Sequence, residues 1–139
     1  MFVRMLAAVA ALNLVALPSL SAMASESSPP SCALHAHRVT AVEAYRAPKR
    51  IGKARIDQVR GAVLYVEGQR GVTAEWLELD LKRHLAAMRG PANMPDCPFD
   101  LDGARVNVKS QGAGFLVTIA AQDSRAGKEV LRRARLLLG

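Results

Sequence analysis

Residues 59–66 read VRGAVLYV, residues 73–88 read TAEWLELDLKRHLAAM, and residues 104–121 read ARVNVKSQGAGFLVTIAA. These three stretches decide the fold. Val59–Val66 carries an unbroken apolar run from Ala62 to Val66, the mark of a buried strand. Thr73 is placed to cap a helix that runs to about Met88, where Gly90 and Pro91 stop it. Leu77, Leu81, Leu85 and Met88 form its apolar stripe. In Ala104–Lys109, Ala and Val alternate with Arg, Asn and Lys, as in a half-exposed strand. Gln111-Gly112-Ala113-Gly114 turns the chain, and Phe115–Ala121 returns as the second arm of a hairpin.

Outward from this centre, Asp123 or Ser124 caps a last helix to about Leu138. Its core stripe is Ala126, Val130, Ala134, Leu137 and Leu138, and the opposite side carries Arg125, Lys128, Arg132 and Arg135. The element order β-α-β-β-α predicts an α+β fold: a three-stranded antiparallel sheet, order 1-3-2, with two helices packed on one face. It resembles a ferredoxin-like βαββαβ unit lacking its last strand, in element order alone and with no motif. Val39, Thr40, Val42 and Tyr45 make His37–Tyr45 a candidate fourth edge strand or a helical turn. Arg46–Arg60 is the most basic stretch, and Pro48 and Gly52 mark it as a loop or linker. The folded domain is thus expected over 59–139, preceded by a partly disordered extension over 25–58.

The 139 residues carry a formal charge of +7 and are 50% hydrophobic, too apolar for a disordered chain. Residues 1–24 read as an export signal. Arg4 supplies the positive start, Met5–Leu17 is apolar apart from Asn13, Pro18 breaks the run, and Ala22-Met23-Ala24 fits the cleavage pattern. The apolar run is shorter than the roughly 20 residues a membrane span needs, so no transmembrane segment is expected after cleavage. Removing 24 of 139 residues leaves 115, and losing Arg4 lowers the charge from +7 to +6. The expected destination is the periplasm or the exterior.

Export places Cys32 and Cys97 in an oxidising space, where one intramolecular bridge is possible. Their separation of 65 residues would make that bridge worth roughly 4 kcal/mol or more in the chain-entropy picture. The alternative is that one or both thiols bind metal. After cleavage, every His, Cys and Met falls in two windows. One is Cys32, His35 and His37, spaced C-x-x-H-x-H; the other is His84, Met88, Met94 and Cys97. His84 and Met88 stand four apart on one helix face, within reach of a single ion. Thioether, thiolate and imidazole together suit copper or another soft metal. With the cysteines bridged, the candidate ligands are His35, His37, His84, Met88 and Met94. Asp80, four residues before His84, could orient its imidazole.

Arg46, Lys49, Arg50, Lys53 and Arg55 form a second candidate site, for an anionic partner. Export turns this away from nucleic acid and toward anionic lipid or an acidic envelope protein. Three Phe, two Tyr and one Trp make an aromatic base-stacking platform improbable. No nucleophile-elbow pattern, H-E-x-x-H or C-x-x-C occurs, so no enzyme is expected. Two functions remain: a small exported binding or accessory protein holding copper or another soft metal, or a disulfide-stabilised envelope interaction domain with no metal.

Overall fold

The computed structural model describes residues 31–90 and 94–139. The export signal, all but Ser31 of the Ser25–Ser31 lead, and Pro91 lie outside the described residues. The architecture is α+β. A short 3-10 turn, Ala33–Ala36, precedes β1 (Val39–Ile51) and β2 (Ala54–Glu67). Then come α1 (Ala74–Met88), β3 (Arg105–Gln111), β4 (Gly114–Ala120) and α2 (Ser124–Arg135). The sheet is antiparallel with the order β1-β2-β4-β3.

The sheet therefore has four strands, not three. β1 is a full strand of 13 residues, and the stretch expected as a linker forms the far arms of its hairpin with β2. The expected domain boundary at 58/59 falls inside β2. Pro48 and Gly52 both fit this hairpin. Pro48 cannot donate to a ladder, but β1 is an edge strand, where that donor is dispensable. Gly52 marks the two-residue turn between β1 and β2, where its φ of 59° suits glycine.

One face of the sheet is buried. Ala62, Leu64 and Val66 of β2 register with Ile119, Val117 and Phe115 of β4. Val106 and Val108 of β3 stand opposite Ile119 and Val117. Partners across a ladder share a face, so these eight side chains make one apolar floor, and all are buried. Leu77 and Leu81 of α1 and Val130 and Ala134 of α2 join the same core. The other face, with Val63, Tyr65, Leu116 and Thr118, is only half-covered.

Both helices start where their caps dictate. The Thr73 side chain accepts from the Trp76 N–H at 3.2 Å, and Asp123 accepts from the Ala126 N–H at 2.9 Å. α2 ends at Arg135, short of the expected Leu138. Leu138 instead forms an isolated parallel bridge with Val39 and is 47% exposed. Glu78 of α1 accepts from the Val108 N–H of the other edge strand at 2.8 Å, so its carboxylate occupies a donor that the sheet leaves unpaired.

α2 approaches the sheet at Gly127. A Cβ there would stand 2.6 Å from the Arg60 backbone. Nearby, β2 bulges: Tyr45 pairs with Gly61 but Arg46 pairs with Val59, leaving Arg60 as the extra residue. The Arg60 guanidinium donates to the carbonyls of Ala121 and Gln122, which ties the bulge to the start of α2. Gly127→Ala is expected to cost about 1–3 kcal/mol by overpacking a helix against backbone. Gly112→Ala, in open space at a φ of 57°, is expected to cost about 1 kcal/mol. Urea unfolding of both variants checks the ranking.

Candidate functional site

The sequence windows meet at three side chains. Cys32 sits immediately before the 3-10 turn, where the His35 N–H donates to its carbonyl at 2.9 Å. Leu34, fully buried, pins this turn to the core. Cys97 lies in the proline-rich loop between α1 and β3. His84 projects from the last turns of α1. The Sγ atoms of Cys32 and Cys97 are 2.8 Å apart and not bonded, and His84 Nε2 lies 3.3 Å from Cys97 Sγ. One ligand atom from each residue falls within 4.8 Å of the others, so the group could hold a metal ion. Among the described residues this is the only such cluster of His, Cys, Asp and Glu.

The loop that presents Cys97 is held from several sides. Its own N–H donates to the Met94 carbonyl at 2.9 Å, and the Met94 N–H donates to Asp100 Oδ2 at 3.0 Å. Pro98 and Phe99 plug into the core. Phe99 meets the His84 ring edge-on, with centroids 5.7 Å apart at 78°. From α2, Arg133 Nη1 donates to the carbonyls of Cys97 at 3.2 Å and Asp100 at 3.0 Å. Glu129 fixes that guanidinium with an acceptor 2.8 Å from its Nε. The loop thus takes its shape from both helices.

The two sulfurs are electrostatically coupled. The Cys97 thiol is pulled well below the usual thiol range, chiefly by its hydrogen bond with Cys32, with His84 and the Phe99 backbone adding support against burial. Cys32 is pushed up, first by that same hydrogen bond, then by burial and by the adjacent negative charge. The pair therefore holds one proton over a wide pH range and resists losing the second. Bringing both sulfurs to the thiolate form requires a positive charge beside them.

The remaining candidates are placed elsewhere. His35 is exposed. His37 ends the 3-10 turn, donating its N–H to the Leu34 carbonyl. Burial lowers its pKa, opposed by the charge of Asp80. The contacts that set the His84 ring are with Cys97 and Phe99. Met88 is buried in the core, 8% exposed, and lines a shallow cleft with Leu85 and Arg89. Met94 packs partly buried against the core, three residues before Cys97. The two sequence windows thus meet at Cys32, His84 and Cys97, the two thiols being those that the sequence leaves either bridged or ligating. Arg133, which anchors the Cys97 carbonyl, carried no sequence signal beyond its place in a basic helix.

The fold and site define a small α+β domain in which two buried cysteines meet a half-buried histidine. No family model, curated protein or solved structure matches the chain.

Arg133→Met removes charged donors from two loop carbonyls and is expected to cost about 1–3 kcal/mol in urea unfolding. Its partner Glu129 is held down to about pKa 2 by Arg132 and then Arg133. A folded value below the ordinary one stabilises above the ordinary carboxylate range and is lost as pH falls through the folded value. The melting-temperature gap between wild type and Glu129→Gln is therefore expected to hold at pH 5 and to close as pH approaches 2.

Proposed function

We propose that this chain is an exported, non-enzymatic binding domain that holds a soft or borderline metal ion, copper(I) by preference, on Cys32, His84 and Cys97. The observation that supports it is the convergence of two buried sulfurs and an imidazole nitrogen within 4.8 Å. Thiolate and imidazole donors suit copper(I) and zinc. An ion here would supply the positive charge that the second sulfur needs to ionise, and its binding would release protons. To share a tetrahedral ion at bonds of about 2.3 Å, the sulfurs must part to about 3.8 Å. That movement falls on the loop of Cys97 and the turn of Cys32, both outside the sheet. His35 and His37, two residues apart beside Cys32, are not needed as ligands in this reading.

A second reading rests on the 2.8 Å between the sulfurs. A bond of about 2.05 Å is a similar displacement in the opposite direction. In the oxidising compartment that the leader implies, closure would make a bridged interaction domain, with His84 as a packed core-edge histidine. The two readings make opposite demands on the thiols.

The deciding experiment counts thiols in the unfolded chain as recovered from the producing cell, then titrates the reduced protein with copper(I) and zinc under native mass spectrometry. Two reactive thiols and one retained ion per chain are expected. Cys32→Ser and Cys97→Ser should each abolish retention, and His84→Ala should weaken it by at least roughly 10- to 100-fold, since removing a ligand costs no less than removing a group that supports one. No reactive thiols, with no ion retained at micromolar metal after reduction, would establish the bridged domain instead.

A further inference from the structure

The β1–β2 hairpin outruns the sheet. Pairing of β2 with β4 ends at Gly61 and Ala120, whereas β1 and β2 remain paired to Ile51 and Ala54. Residues 46–51 and 54–59 therefore form a two-stranded ribbon with no third strand. Six residues of extended chain give it a reach of about 20 Å. The described side chains from Pro48 to Asp57 are all exposed.

The ribbon is two-faced, and the pairing register says how. Ala47 opposes Gln58, Lys49 opposes Ile56, and Ile51 opposes Ala54. These six share one face, on which Ile51 is 52% and Ile56 42% exposed. The other face carries the pairs Arg46–Val59, Pro48–Asp57 and Arg50–Arg55. Lys53 sits at the tip. Five cations thus face one acidic residue, Asp57, and among the described residues none of the five is in an ion pair. Arg50 directly opposite Arg55 is a like-charge pair that destabilises an isolated ladder. Two exposed isoleucines on an unsupported ribbon add nothing to folding.

We infer that this ribbon docks on a bilayer containing anionic phospholipid. The ribbon enters by its tip, so that both faces meet the headgroups: Ile51 and Ile56 reach the boundary with the acyl chains on one face, with Lys49 beside them, while Lys53 at the tip and Arg50 and Arg55 on the other face engage the lipid phosphates. Exposed apolar side chains flanked by Lys and Arg are the pattern of an interfacial element, and each cation near an anionic surface adds affinity. A nucleic acid would use the cations but not the isoleucines, and the ribbon holds no aromatic side chain to stack a base. The metal reading plays no part here.

The test is co-sedimentation with vesicles of phosphatidylcholine alone or with one quarter phosphatidylglycerol, at physiological salt. The chain is used as recovered from the producing cell, its N-terminus fixed by mass. Retention by the anionic vesicles at least tenfold above the neutral ones is expected. Arg50→Gln/Lys53→Gln/Arg55→Gln should weaken binding roughly 100-fold, about fivefold per cation. Ile51→Ser/Ile56→Ser, with all charges kept, should weaken it about tenfold or more, and both variants should keep the wild-type melting temperature. Equal retention by both vesicle types would overturn the proposal. So would unchanged binding of the isoleucine variant, or tighter binding to duplex DNA than to the anionic vesicles.

Discussion

The meeting of Cys32 with Cys97 is the constraint that joins the N-terminal segment to the loop between α1 and β3. The sheet and its helices form one apolar core, on which the N-terminal segment and the proline-rich loop both dock. Leu34 anchors the first, and Pro98 and Phe99 anchor the second. The two anchors bring their cysteines to 2.8 Å beside His84. A polar group in such a place is costly unless it is partnered. Here the Cys97 sulfur is partnered by the Cys32 sulfur and the His84 imidazole.

The same layout separates two kinds of chemistry. The buried group is small, soft and proton-coupled, and its shape is set by hydrogen bonds from α1, α2 and the loop. The hairpin ribbon is exposed, basic and two-faced, and its orientation is set by backbone geometry at Arg60 and Gly61. The bulge leaves Arg60 outside the ladder and turns its guanidinium to the carbonyls that precede α2. A cation counted with the basic stretch is thus part of the scaffold, and the five beyond it are free to meet a partner.

Much of the core was legible in the sequence because it repeats with a clear period. The alternation in 104–109 and the apolar run in 62–66 correspond to the buried floor of the sheet, and Leu77 and Leu81 to the buried side of α1. β1 was obscure for a physical reason. Its far half is exposed on both faces, so no alternation of burial constrains it, and its proline and glycine occupy an edge and a turn, where neither breaks a ladder. α2 was read too long because Leu136, Leu137 and Leu138 look like a helical stripe, while Val39 captures Leu138 as a bridge. At the site, spacing brought His84 and Cys97 into one window. No local pattern could show that Cys32, 65 residues from Cys97, completes the group without His35 or His37.

Extended X-ray absorption at the zinc edge of the reduced, zinc-loaded protein tests the convergence most directly. Two sulfur scatterers near 2.3 Å and one imidazole nitrogen near 2.0–2.1 Å are expected, with the imidazole signal lost in His84→Ala. A shell of nitrogen and oxygen alone, or an unchanged imidazole signal in that variant, would contradict the assignment of Cys32, His84 and Cys97 as one site.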